Sequence, residues 1–170
     1  MYDMSRIAGC GYFDSADSKE DRMAARKAVN AQRTEDFRNG SYARAGGVVD
    51  PLPEDAPYFV KDYYDYYKTD RGYHARSLNS NDGWAATAGT SLSNTRLFTY
   101  AGEIDSAVLI IHGEKAHSCY MGRDAYKLLK GENKEFMIIP GASHTDLYDG
   151  GGKDAIPFDK LERFFAQYLQ

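Results

Sequence analysis

Apolar positions in this chain follow two unlike regimes. From about residue 96 onward, short unbroken apolar runs alternate with helical periodicities. Ala107–Ile111 (AVLII) and Glu135–Ile139 (EFMII) are runs of the kind that a parallel strand covered on both faces requires. Between them, the spacing predicts a helix over Arg123–Lys130, with Ala125, Leu128 and Leu129 inward and Gly131 as its stop. A last helix, Pro157–Tyr168, gathers Leu161, Phe164, Phe165, Tyr168 and Leu169 on one stripe. Strands alternating with helices at this spacing mean βαβ units, and hence a parallel sheet in an α/β fold.

The amino-terminal part reads differently. Residues 1–4 fit the end of a sheet strand, with Asp3 just past it, and Ser5–Asp17 reads as a loop. Ser18–Phe37 is helical in pattern, with Asp17 or Ser18 as N-cap and Gly40 beyond its end. Gly46-Gly47, Pro51 and Pro53 mark a loop up to Asp55. A helix is expected over Pro57–Lys68, where Phe59, Tyr63, Tyr66 and Tyr67 share one face. Thr69–Gly89 is polar and irregular, and Leu92–Tyr100 is a further helix. The resulting organisation is a strand end at 1–4, a helical cap-like insertion over 5–95, and a sheet-bearing part over 96–170. A parallel sheet of two or three strands leaves long unpaired edges, so the chain is expected to be part of a larger domain.

Polar clusters follow both strands at their carboxyl ends, where chemistry sits in an open α/β sheet. These are His112-Gly113-Glu114 and Pro140-Gly141-Ala142-Ser143-His144-Thr145-Asp146. Together with MYDMSR, GEKAHS, DAY and IPFDKLERFF, they resemble bacterial α/β-hydrolases related to dienelactone hydrolase, most closely over about residues 97–170. The resemblance implies the carboxyl-terminal part of an α/β-hydrolase fold, a few-stranded parallel sheet with helices and a helical cap insertion. It implies His144 as the general base of a serine-type acyl hydrolase, since the histidine follows nucleophile and acid in that chain order. Glu114 and then Asp3 are the expected orienting carboxylates, with Asp146 behind them. His117 and Ser118 are placed beside the substrate. In that family the nucleophile elbow and the oxyanion-hole loop precede the point where this chain starts.

Within the chain no segment makes a nucleophile elbow. Gly89-Thr90-Ser91-Leu92-Ser93 lacks a preceding strand, and Gly9-Cys10-Gly11 follows a run too short and polar to be one. The expected function is therefore an acyl-hydrolase fragment with little activity alone. The alternative is a truncated, non-catalytic remnant or binding module that folds by pairing, with itself or with a missing half.

Composition narrows the classes of partner. A net charge of −4 argues against a nucleic-acid surface, which needs clustered Lys and Arg. No run approaches the roughly 20 apolar residues of a membrane span, and no signal-peptide pattern opens the chain. Two distant cysteines, Cys10 and Cys119, make no disulfide framework, so a reduced cytoplasmic setting is expected. His112, His117 and Cys119 do not complete a four-ligand zinc site, and Gly150-Gly151-Gly152-Lys153 lacks the spacing of a phosphate loop. No cofactor or metal is expected, and the ligand is a small acyl substrate. Homo-oligomerisation remains open.

Overall fold

The structure, a computed structural model, describes residues 3–169 and divides the chain into two units. One comprises residues 3–56 and 63–97. The other comprises residues 57–62 and 98–169. Residues 1 and 2 of the expected strand end lie outside the described residues. Asp3 and Met4 form no strand: α1 spans Met4–Cys10, and Asp3 is its N-cap. The Asp3 carboxylate accepts from the Arg6 backbone N–H at 3.0 Å and from the Ser5 hydroxyl. An Asp two or three residues ahead of free helical amides is a cap before it is anything else.

In the first unit, α2 spans Lys19–Asn39. Ser18 caps it, accepting from the Asp21 N–H at 3.0 Å. Glu20 and Asp21 complement the positive end of the helix, and Gly40, left-handed at φ 62°, closes the other. Of its residues only Asp36 is buried, so propensity and caps sustain α2 more than packing does. β1 (Arg44–Gly46) pairs antiparallel with β2 (Gly83–Ala85), a ribbon too short to leave an alternating pattern. α3 (Tyr58–Tyr67) lies between them in the chain; residues up to Asp62 cluster with the second unit and the rest with the first. α4 is Ala88–Asn94, earlier than the expected Leu92–Tyr100.

The second unit contains β3 (Val108–Gly113), α5 (Cys119–Leu128), β4 (Lys134–Ile139), α6 (Asp146–Asp149) and α7 (Phe158–Tyr168). β3 and β4 pair in parallel, with Ile110 opposite Phe136 and Gly113 opposite Ile139. α/β architecture with a small parallel sheet is thus what the chain forms. Full coverage of both strands is not: β4 is half-buried along its whole length, and in β3 only Ile110, His112 and Gly113 are buried. Two strands offer too little sheet for helices to cover on both sides. The core is correspondingly small, with Ala101, Ile110, Ala125 and Leu129 at its centre and Phe136 and Tyr126 against it.

Leu128, expected inward, is 46% exposed. On α7 only Phe164 is buried; Phe165 and Leu169, expected on the same inner stripe, are 51% and 76% exposed. Helical periodicity identifies a face, whereas what covers it depends on the neighbours available.

Candidate functional site

β3 ends in His112-Gly113, and the loop after β4 crosses directly over Gly113. A Cβ there would run into the carbonyl oxygens of Ala142 and Ser143, so glycine is what lets this loop approach the strand. Backbone bonds tie the two together, from the Glu114 N–H to the Ile139 carbonyl at 3.0 Å and from the Lys115 N–H to the Ala142 carbonyl at 2.9 Å. Glu114 itself belongs to this tie. Its carboxylate accepts from the Gly141 N–H at 2.7 Å, and no bond joins it to His144. A side chain that leaves a strand end and meets a turn amide one loop away is spent on the turn. Glu114 is thus a loop clamp and not the orienter of the imidazole, and Asp3 is engaged in capping α1.

The loop is fixed again at its far end. Ser143 and Asp146 exchange bonds: the Ser143 N–H donates to the Asp146 carboxylate at 2.9 Å, and the Asp146 N–H donates to the Ser143 hydroxyl at 3.1 Å. This is the reciprocal arrangement of a capping box, with both residues buried. Asp146 therefore has a structural task of its own. Between them Thr145, with no exposed surface, donates its hydroxyl to Asp62 at 2.8 Å.

His144 projects from this frame with both ring nitrogens engaged. Nδ1 lies 3.1 Å from the Ser118 hydroxyl, and Nε2 lies 2.8 Å from the Tyr148 hydroxyl. Burial pushes the His144 pKa down, and the Asp62 carboxylate partly offsets this. The imidazole is therefore neutral near pH 7, which is the state a general base needs. His117 stands 6.0 Å from it, centroid to centroid, and stacks on Phe59 at 4.3 Å. Burial, with His144 adding to it, pushes His117 down to about 4.

Ser118 is fully buried, so it cannot line a substrate surface as expected; it holds the imidazole instead. It fills the orienting place that sequence reasoning gave to a carboxylate. Three participants escaped the sequence reading. Tyr148 lies four residues after His144, the spacing at which side chains meet on a helix, and that signal was available. Asp62 and Phe59 come from α3, 82 or more positions away in the chain, and no local pattern announces them.

The remaining candidates are not activated. Cys10 closes α1, and burial followed by the Asp17 carboxylate pushes its thiol up, away from the nucleophilic thiolate. Among the described residues, no three His, Cys, Asp or Glu side chains gather as metal ligands would. No described helix is long and apolar enough to cross a membrane.

Comparison with known proteins bears on the expected kinship. The chain is 42% identical over 170 residues to the uncharacterized protein PA2218 of Pseudomonas aeruginosa, covering 99% of itself and 44% of that protein. It is 30% identical over 145 residues to the uncharacterized protein YcjY of Escherichia coli, covering 81% of itself and 44% of that protein. A crystal structure of PA2218, described as a hypothetical protein, superposes with a TM-score of 0.89 at 40% identity, over 99% of this chain and 51% of the other. No family model matches. The chain spans less than half the length of the curated relatives it matches.

These findings overturn the resemblance to dienelactone-hydrolase-related enzymes, because the proteins this chain matches are uncharacterized and none is a hydrolase by name. The physical reason for the misreading lies in the motifs. HGE and PGASH are what a strand end and a tight loop crossing it require, as Gly113, Glu114 and the Ser143–Asp146 box demonstrate. Such residues recur wherever that geometry does.

Proposed function

We propose that His144 is the general base of an acyl-transfer site that cleaves an ester or related bond. The observation that carries this reading is the neutral imidazole, clamped between the Ser118 and Tyr148 hydroxyls beyond the carboxyl end of β4. In the tautomer that carries the proton on Nδ1 and donates it to the Ser118 oxygen, Nε2 keeps its lone pair toward the Tyr148 side. Tyr148 is 42% exposed, so its phenol is the group a nucleophile would displace. Nε2 then takes the proton of the attacking hydroxyl as its oxygen bonds to the acyl carbon. It returns that proton to the leaving oxygen as the second carbon–oxygen bond breaks.

Ser118 is buried on the other nitrogen and is not the nucleophile in this reading. Water serves as the nucleophile in this reading. Turnover by the chain itself is therefore expected to be slow. The test is hydrolysis of p-nitrophenyl acetate and butyrate by the wild-type chain and by His144→Ala. General-base participation predicts a loss on the order of 10²-fold in the variant. It also predicts a wild-type rate that rises with pH to a plateau, with its midpoint below the ordinary histidine value. Equal rates for both chains would remove His144 from the chemistry.

A further inference from the structure

A cleft of mixed polar and apolar lining lies wholly within the first unit, between the carboxyl end of α2 and α4. It encloses about 690 Å³, within the range of small-molecule sites. Its chemistry is uneven in an informative way. Asp36 is 7% exposed, and its Oδ1 is used twice, accepting from Gln32 Nε2 at 2.8 Å and from the Ala43 N–H at 3.1 Å. Its Oδ2 is buried with no hydrogen-bond partner, and so is the Thr90 hydroxyl, which lines the same cleft from α4.

Orphaned buried oxygens are rare because each forfeits its solvation, and a carboxylate oxygen forfeits most. Here two of them meet at one cleft. A cation that neutralised Asp36 would be expected from Arg33, one helical turn earlier and also in the lining. Arg33 forms no ion pair with it, since the Asp36 carboxylate is turned toward Gln32 and Ala43. Among the described residues the cleft thus presents an unpartnered carboxylate oxygen and, beside it in the lining, an arginine that forms no ion pair. Phe37, 89% exposed, and Tyr42, 77% exposed, supply aromatic walls.

We propose that this cleft binds a free α-amino acid with an apolar or aromatic side chain. The ammonium group donates to Asp36 Oδ2 and the Thr90 hydroxyl, the carboxylate pairs with Arg33, and the side chain packs on Phe37 and Tyr42. An ammonium has three donors in a compact head, which suits two orphaned acceptors, whereas a guanidinium ligand would demand a planar fork. A single water would satisfy the oxygens but would leave Arg33 and both aromatic rings unused.

The test is calorimetric titration of the chain with L-phenylalanine at millimolar concentrations, alongside 3-phenyllactate, which lacks the ammonium, and phenethylamine, which lacks the carboxylate. L-Phenylalanine is expected to bind and to raise the melting temperature. Each analogue is expected to bind about tenfold more weakly or worse, because each loses a charge-assisted bond. Asp36→Asn and Arg33→Ala are expected to weaken L-phenylalanine by a similar factor. Arg33 is exposed and makes no hydrogen bond or ion pair among the described residues, so that variant stays informative even where Asp36→Asn unfolds. Absence of binding by L-phenylalanine and the other apolar amino acids, or unaltered binding by Arg33→Ala, overturns the proposal.

Discussion

At the scale of single residues, two histidines, one at the end of β3 and one on the loop after β4, differ in what they do. His112 is 2% exposed and packs against Gly122, where any Cβ would strike its ring. Burial, followed by nearby positive charge including Arg123, pushes it down to about 4. Its folded-state pKa therefore lies below the value of about 6.5 in an unfolded chain. The unfolded state takes up a proton first as pH falls, so His112 contributes stability that is complete above pH 6.5 and is lost down to about pH 4. The loss is on the order of 3 kcal/mol. Urea unfolding measured across that window is expected to show the decline in the wild-type chain and a shallower one in His112→Asn. An equal slope in both would mean that other groups carry the acid sensitivity. His144, by contrast, is half-buried with a hydroxyl on each nitrogen, so its lowered pKa bears on reactivity as well as on folding.

At the scale of elements, the helices fall into two kinds. α5 is held by its face, with Met121, Gly122 and Ala125 buried against the sheet region. α2 is held by its ends and its composition, because only Asp36 is buried along its length. Ser18 both accepts from the Asp21 N–H and donates to the Asp21 carboxylate at 2.7 Å. Ser18→Ala should therefore cost about 1 kcal/mol, visible as an earlier urea midpoint in far-ultraviolet circular dichroism. A midpoint identical to wild type would mean that the first turn of α2 frays without consequence. β3 and β4 are opposite in character to α2. Their pairing is long-range, and their stability rests on Ile110 and Phe136 packing with α5 residues in one small cluster.

At the scale of the whole molecule, surface left uncovered is the main physical fact. Among the described residues β3 and β4 form a two-stranded parallel sheet, in which each strand has an edge with no partner strand. α7 and the Leu169 that caps it leave Phe158, Phe165 and Leu169 at 69%, 51% and 76% exposure, spaced seven and four residues apart. Apolar stripes of this kind are covered in stable proteins by a further segment or another chain. The chain by itself is expected to self-associate, with sedimentation coefficients that rise with concentration. Replacing Phe158, Phe165 and Leu169 together by Ser is expected to return it toward monomer. A wild-type chain that sediments as one sharp monomer at every concentration would contradict this.

The local grammar of the chain was legible in its residues. Ser18 and Gly40 bracket α2 as capping chemistry requires, and the two apolar runs became β3 and β4 within a residue or two, because such signals act over a few positions. Other features left no local trace. Asp3 read as a residue just past a strand, and only the helix that follows it shows it as a cap. The ribbon of β1 and β2 spans three residues on each side, too few for an alternation to register. The sequence by itself put His144 on a loop after a strand and Glu114 at the end of another. Tyr148 was within local reach at four residues, but the other groups around the imidazole were decided by tertiary structure. Ser118 is 26 residues away and arrives through the β3–α5 turn, while Asp62 is clamped to Thr145 across 83 positions. Hydrogen bonds over such distances depend on how strands and loops pack, and packing is a property of surfaces that meet only in three dimensions.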